Sequence, residues 1–345
     1  MPVETRRESV TIYDVAREAG TSKSTVARVL AKRGYVSAET SSAVLDAVSR
    51  LGYQPDEQAQ RLAKGRFDNV VDIFTAEVDY GIVLRRTKAV QHFLQVAGYD
   101  VSYHVSGRGD GMAAGTIQKL RRRKPRAIAA CTWDIGPDAV AELVGYMQEG
   151  GVVVCFGTDE HISIPCDQVL FDEEQNTYMA VRHLIEMGHR NIGFNAHDDP
   201  NPEHPRIIGM RRALAEAGIP FRPEWMHNSR VYEEGGSQLA AWFLALERKP
   251  SAMCINNDVV ASVFVQQLYR AGVNVPADVS VIGHDDSPIA SCCMAPLTVV
   301  SQPHWTDSQI VARFLTERLT GEYDGPARRV INCGELVQRE SVARL

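Results

Sequence analysis

The sequence predicts a small all-α helix-turn-helix domain followed by an α/β core of two parallel-sheet lobes. Three observations predict it. The first fifty residues carry apolar residues at helical spacing and no strand pattern. From about residue 68 a unit of helix, glycine and short apolar strand recurs. The strand candidates are too numerous for one compact sheet of this kind, so they divide between two lobes.

Residues 11–51 read as three short helices. Ile12, Val15, Ala16 and Ala19 share one face, and Gly20 stops that run. Ser22 can cap a second run, whose apolar positions are Val26, Val29 and Leu30. Ser37 can cap a third, with Val44, Leu45, Val48 and Leu51 aligned, ending at Gly52. None is long enough to stand alone, so they must share one core. Pro55 breaks the pattern, and residues 56–64 form a further short helical candidate before Gly65.

In the body, LQVAG precedes YDVSYHV, YMQEG precedes GVVVCF, HLIEMG precedes HRNIGF, and LYRAG precedes VNVPADVSVIG. Each glycine stands where a helix C-terminus needs left-handed backbone. Strands are expected near 69–74, 99–105, 127–131, 151–156, 168–171, 191–195, 252–255 and 279–283. Ligands of such folds bind beyond the carboxyl ends of the strands.

Composition excludes several classes. The chain has 345 residues, 44% hydrophobic and 23% charged, which is ordinary for globular domains. No apolar run approaches the ~18 residues of a membrane span. The start, MPVETRRESV, lacks the apolar core of a secretory signal. Seven cysteines without a CxxC argue against a disulfide framework or zinc knuckle and fit a reducing cytoplasm. Residues 1–66 hold 11 Lys and Arg against 8 Asp and Glu, whereas the remainder holds 26 against 35. A basic head on an acidic body suits a head that meets a polyanion.

The segment TIYDVAREAGTSKSTVARVL, residues 11–30, is the most informative. Two helices joined through Ala19-Gly20-Thr21 make a helix-turn-helix, and the second exposes Ser22, Lys23, Ser24 and Thr25 at its start. N-terminal residues of a recognition helix reach base edges in the major groove. Spacing alone leaves open a helical hairpin with a solvated polar face. In the body, CINND (254–258) and VIGHDD (281–286) both end in acids. If these strands are neighbours, Asn257, Asp258 and Asp285 converge on one cleft, where amides and carboxylates suit a polyol's hydroxyls.

The run T-I-Y-D-V-A-R-E-A-G-x-S-K-S-T-V-x-R-V-L, then Val36-Ser37 and Leu51-Gly52-Tyr53-x-Pro55, resembles the lactose-repressor/galactose-repressor (LacI/GalR) family of bacterial transcription regulators. The acidic body resembles that family's effector core, which has the periplasmic-binding-protein fold. The resemblance implies roles position by position. Lys23, Ser24 and Arg28 match base-contacting positions, and Tyr13, Ser22, Thr25, Tyr35 and Ser37 match phosphate-contacting ones. Ala59 and Leu62 match the hinge helix that enters the minor groove, with Leu62 as an apolar wedge. Arg206, Asn257 and Asp285 match effector positions. With Asp258 they form the polar set, and Phe156, Tyr232, Trp305 and Tyr80 are candidate aromatic or cleft-lining neighbours.

The resemblance also implies boundaries: an extension over 1–10, a DNA-binding domain over 11–54 and a hinge over 55–67. The first lobe takes 68–171 with 304–331, and the second 172–303 with 332–345. It implies a homodimer on double-stranded, near-palindromic operator DNA and a small-molecule effector, with no cofactor, metal, membrane or catalytic residue. The end at Leu345 without heptads makes a dimer the expectation over a tetramer held by a C-terminal bundle.

There are departures. Thr21 and Ala27 replace the usual Val and Ser, and Asp56 the usual Asn. The Asn-Pro-Phe segment usual after the first core strand is here Glu77-Val78-Asp79-Tyr80-Gly81, and the acid often ending the fourth strand is replaced near Phe156-Gly157. The effector is expected to be a sugar or related polar metabolite, and these departures point away from a typical sugar. His197-Asp198-Asp199 with His204 reads as a solvated loop rather than a metal site. Gly-Asp-Gly-Met-Ala-Ala (109–114) reads as a strand-to-helix turn rather than a dinucleotide fingerprint, and Arg121-Arg122-Arg123-Lys124 as a helix C-terminus. Two other functions remain open on residues alone. One is a solute-binding module whose head serves another partner. The other is an enzyme with Asp258 or Asp285 as base.

Overall fold

Central strands buried on both faces build the core. The computed structural model describes residues 10–30, 35–53, 69–76, 81–107, 111–131, 135–157, 163–196, 201–229 and 232–345. The chain divides into two units, Met1–Asp68 and Asn69–Leu345.

The described part of the first unit has three helices: α1 (Ile12–Glu18), α2 (Lys23–Leu30) and α3 (Ala38–Leu51). Asp14 accepts from the Thr11 amide at 3.0 Å, while Ser22 Oγ accepts from Thr25 N at 3.1 Å and Ser37 Oγ from Thr40 N at 3.2 Å. These bonds satisfy amides that a helix start leaves without partners. Val15, Ala16, Val26, Val44 and Ala47 form one small core, flanked by Ile12, Val29, Leu30, Val48 and Leu51.

The second unit holds two six-stranded sheets. The first contains β1 (Val70–Thr75), β2 (Asp100–Val105), β3 (Ala127–Cys131), β4 (Val152–Gly157), β5 (Asp167–Phe171) and β11 (Arg329–Asn332), in the order β11-β5-β4-β3-β1-β2. All its pairings are parallel. The second contains β6 (Ile192–Ala196), β7 (Met226–Asn228), β8 (Ala252–Ile255), β9 (Ser280–Asp285), β10 (Thr298–Ser301) and β12 (Leu336–Val337). Its order is β12-β10-β9-β8-β6-β7, with β12 antiparallel to β10. All eight strands expected from the sequence form. Four further strands, β7, β10, β11 and β12, also appear.

Helices cover both faces of each sheet, as parallel strands require. On the first, Val71, Ile73, Ala129, Val154 and Phe156 face α4 (Gly81–Val96) and α12 (His304–Thr320). The alternate residues Phe74, Ile128, Ala130, Val153 and Cys155 face α5 (Met112–Arg123) and α6 (Pro137–Gln148). On the second, Phe194, Cys254 and Ile282 face α7 (Glu173–Glu186) and α8 (Pro205–Glu216). Met253, Ile255 and Val281 face α9 (Glu233–Ala245) and α10 (Asp258–Arg270); α11 (Pro288–Cys292) follows β9. Each fully buried Leu, Ile or Phe contributes about 1.5–3 kcal/mol. The helix-ending glycines 98, 150, 188 and 272 all have positive φ, as the recurring unit demands. At Gly209 a Cβ would fall 2.1 Å from the Glu174 carbonyl, so only glycine lets α7 and α8 approach this closely.

The chain passes between the sheets after β5, after β10 and after β11, and hydrogen bonds tie these passages together. The Asp172 amide donates to the Asn332 carbonyl at 3.0 Å, and the Ser301 amide to that of Glu335 at 2.8 Å. The Gly334 amide donates to Asn176 Oδ1 at 2.7 Å. Beneath them Asp167 at the start of β5 takes Arg318 of α12 (2.9 Å) and Arg328 (2.7 Å). Burial raises the Asp167 carboxyl, but its bonds to Arg318 and Arg328 outweigh that and hold it at about 2.

Candidate functional site

In the first unit, α2 buries Val26 completely and turns Ser22, Lys23, Ser24 and Arg28 outward. Lys23 Nζ donates to Tyr13 Oη at 3.1 Å and lies 4.7 Å from the centre of that ring. Ser22 Oγ lies 2.8 Å from Ser24 Oγ and 2.9 Å from Thr25 Oγ1. Arg28 Nε reaches the Ser24 carbonyl at 3.4 Å. Tyr35 is 92% exposed, and Ser37 is exposed while capping α3. The face therefore offers hydroxyls and two cations at a helix start, a set able to donate to phosphates and base edges. Ala59 and Leu62 lie outside the described residues.

In the second unit, β8 and β9 are parallel neighbours with Cys254 opposite Ile282, so their carboxyl ends coincide. Asn257 caps α10, its Oδ1 accepting from Val260 N at 2.9 Å. Asp258 is buried, and its Oδ2 accepts from the Ser287 amide at 2.5 Å. Burial, with the Asp285 charge beside it, pushes the Asp258 carboxyl well up. Asp285 accepts from Gln302 Nε2. Asp285 and Asp286 have φ of +94° and +58°, left-handed backbone that costs non-glycine residues about 1–3 kcal/mol each. Such strain re-aims the end of β9 toward the space beyond the strands.

Arg206, in the first turn of α8, is buried in a network the sequence did not reveal. Its Nε and Nη2 lie 3.2 and 3.0 Å from Glu173 Oε1, and Nη1 lies 2.6 Å from the Asn256 carbonyl. His284 Nδ1 lies 3.1 Å from the Ile255 carbonyl. Burial, then the Arg206 charge, push His284 down to about 3, so the ring is neutral at pH 7. Glu173 had no sequence signal beyond an acid at a helix start.

The described aromatic candidates have different surroundings. Phe156 is 2% exposed and packs in the core of the first lobe. Trp305 is 52% exposed, stacks on His92 at 5.4 Å and meets the Phe93 ring at a tilt, 4.9 Å away. Tyr232 is half-buried as the N-cap of α9. Tyr80 and residues 197–199 lie outside the described residues. His204 caps α8, its Nδ1 accepting from Arg206 N at 3.2 Å. Of the Arg121–Lys124 run, Arg121 pairs with Glu142 (3.1 Å) and Glu149 (2.6 Å).

The helical head and the two-lobed core together define a one-component transcription regulator: a DNA-reading domain joined to a ligand-binding-type body. The sequence pattern of the bacterial regulatory proteins of the lacI family matches residues 11–56, and that of the periplasmic binding protein-like domain matches 181–342. The chain is 29% identical over 344 residues to the HTH-type transcriptional repressor PurR of Photobacterium profundum, covering 97% of this chain and 99% of that protein. It is 26% identical to catabolite control protein A of Priestia megaterium, covering 91% of this chain and 94% of that protein. Among solved structures, the lac repressor dimer bound to operator and the anti-inducer ONPF superposes with a TM-score of 0.84. It shares 25% identity, and the match covers 97% of this chain and all of that one. The transcriptional regulator CelR in complex with cellobiose matches at a TM-score of 0.71 and 25% identity, over 96% and 99% of the two chains. The chain thus carries a lacI-family DNA-binding domain followed by a periplasmic-binding-protein-like domain. Among the described residues no helix is long and apolar enough to cross a membrane.

Proposed function

We propose that this chain is a cytoplasmic repressor that binds a near-palindromic operator as a homodimer and answers to a small polar metabolite between the two core lobes. The observation that carries the reading is the α2 face, where Lys23, Ser24 and Arg28 stand exposed around the buried anchor Val26. Lys23, Ser24 and Arg28 read bases. Tyr13, Ser22, Thr25, Tyr35 and Ser37 hold phosphates and so set affinity and its salt dependence. Residues 55–67 act as the hinge, with Ala59 and Leu62 at the minor groove of the operator centre. Residues 68–171 with 304–331, and 172–303 with 332–345, move as the two lobes.

Arg206, Asn257, Asp258 and Asp285 supply the polar contacts to the effector from the second lobe. Asn257 also caps α10 through Val260, and Asp258 gives one oxygen to the Ser287 amide while its Oδ1 has no hydrogen-bond partner among the described residues. Phe156, Tyr232, Trp305 and Tyr80 are the candidate apolar neighbours. The operator-bound dimer of the lac repressor supports the assembly by analogy. To reverse a 99:1 population the effector must favour one state by about 5.5 kcal/mol.

The test is fluorescence anisotropy of the full chain on selected and scrambled duplexes over a salt series. A regulator loses affinity steeply as salt rises and keeps a sequence preference throughout. A solute-binding module shows neither behaviour, and an enzyme consumes its tight ligand on long incubation.

A further inference from the structure

The acids at the lobe boundary are committed to partners within the chain. Glu173 holds Arg206 at 3.0 Å, Asp286 holds Arg339 at 2.5 Å, and Asp307 accepts from Asn332 Nδ2 at 2.6 Å. Asp285 accepts from Gln302, and one oxygen of Asp258 from the Ser287 amide. Arg86 differs in having no hydrogen bond on one edge among the described residues, although its charge lies close enough to Asp307 to offset part of the rise that burial gives that carboxyl. It sits in the second turn of α4 and is 4% exposed. Its guanidinium lies 5.4 Å from the centre of the Phe171 ring, which ends β5. Its carbonyl accepts from Ser308 Oγ of α12 at 3.1 Å. The adjacent Arg85 donates to the Asp286 carbonyl in the other lobe, so this turn of α4 borders the boundary between lobes.

Arg86 Nε and Nη2 are buried and have no acceptor among the described residues. These two nitrogens form the side-on edge of a guanidinium, whose parallel N–H groups match two oxygens of one carboxylate or phosphate. The same chain uses this edge elsewhere. Arg318 places Nε and Nη2 at 3.0 and 2.9 Å from the two oxygens of Asp167, and Arg206 turns the same edge on Glu173. A buried guanidinium edge without an acceptor is costly. Arg328 also leaves its Nε without a partner among the described residues, but its two Nη groups are held by Asp167 and Glu317, whereas Arg86 leaves both nitrogens of one edge unmatched.

We infer that the effector carries an oxyanion group, a carboxylate or a phosphate ester, received side-on by Arg86 from the first lobe. The inference rests on the effector-cleft reading above and narrows its ligand class. The other end of the molecule carries the hydroxyl or amide groups that suit Arg206 and Asp285 in the second lobe. A neutral sugar leaves Arg86 without an acceptor. Entry requires the lobes to part at the Arg85–Asp286 contact.

The test uses the full-length protein, its Arg86→Met and Arg86→Lys variants, and inorganic phosphate against chloride at matched ionic strength. Thermal unfolding is followed, with glucose and gluconate as a neutral and acidic pair. Phosphate and gluconate should stabilise the parent beyond chloride and glucose. In Arg86→Met their apparent affinity should fall about tenfold or more. Arg86→Lys, which keeps the charge and loses the fork, should fall between the two. The unfolding midpoint of ligand-free Arg86→Met should equal or exceed the parent's, because an apolar side chain replaces a buried charge lacking an acceptor. No anion effect in the parent, an equal effect in all three proteins, or stabilisation by glucose alone overturns the inference. A lower midpoint for ligand-free Arg86→Met also overturns it, by showing a structural arginine. Operator binding measured on the same samples without anion separates this failure from failure of the regulator reading.

Discussion

Arg206 closes its Nε and Nη2 edge on a single oxygen of Glu173, at 3.2 and 3.0 Å, with both side chains buried. Removing one partner leaves the other as an uncompensated buried charge. Glu173→Leu or Arg206→Met alone is therefore expected to lower stability by about 3–5 kcal/mol. The double variant Glu173→Leu with Arg206→Met should lie much closer to the parent. Urea unfolding of the singles and the double, read as a double-mutant cycle, checks this.

Asp285 leaves β9 in left-handed backbone and meets Gln302, at the ends of strands where ligands of such sheets bind. Asp285→Ala should abolish the response to the small-molecule fraction of a cell extract while operator affinity stays within about twofold. A normal response in that variant removes Asp285 from the site.

Lys23 stands over Tyr13 at the start of α2, where a base edge would lie. Lys23→Ala should cost about 1–3 kcal/mol on the selected operator. On scrambled DNA it should cost much less. Anisotropy titrations on both duplexes separate the two, and an equal loss on each would place Lys23 on the phosphates instead.

The pH dependence follows from His284. Its folded value of about 3 lies below the ordinary histidine value of 6.5. Below pH 6.5 the unfolded chain takes up a proton that the folded chain refuses, so stability falls with pH down to about pH 3. At pH 5 the loss from this one group is about 2 kcal/mol. His284→Gln keeps a donor for the Ile255 carbonyl and should flatten the acid limb of the stability–pH curve.

Asp167 anchors the second segment of the first lobe through Arg318 and Arg328. Asp167→Asn should destabilise by about 3–5 kcal/mol, since two guanidinium groups lose their shared carboxylate. Because the carboxyl sits at about 2, below its unfolded value of 3.8, the parent holds this contribution above pH 3.8. It loses the contribution as pH falls towards 2. The variant should show no such step.

Much of the architecture was legible because the determinants are local. The helix–glycine–strand unit marks four strands and short apolar runs mark four more, and Ser22, Ser37 and Gly52 punctuate the head as expected. The strands β7, β10, β11 and β12 escaped because they are two to four residues long and three of them lie at sheet edges, too short for a period-2 or apolar-run signal even where a helix-ending glycine (Gly218, Gly321) precedes them. The convergence of the β8 and β9 ends was legible, since both carry acids. Glu173, Asn256, His284 and Arg86 were not. Each reaches its neighbours through tertiary contacts tens of residues away, and nothing in local sequence distinguishes them from ordinary helix or strand termini. Phe156 and Trp305 show the reverse limit: an aromatic residue type does not reveal whether it packs in a lobe's core or stacks on a neighbouring helix.

The most direct measurement sequences the genomic fragments that the purified full-length protein and its Lys23→Ala variant retain at about physiological salt. The account predicts a near-palindromic site enriched by the parent and lost or relaxed in the variant. Retention by both proteins without sequence preference would contradict it, leaving a head that binds phosphates alone.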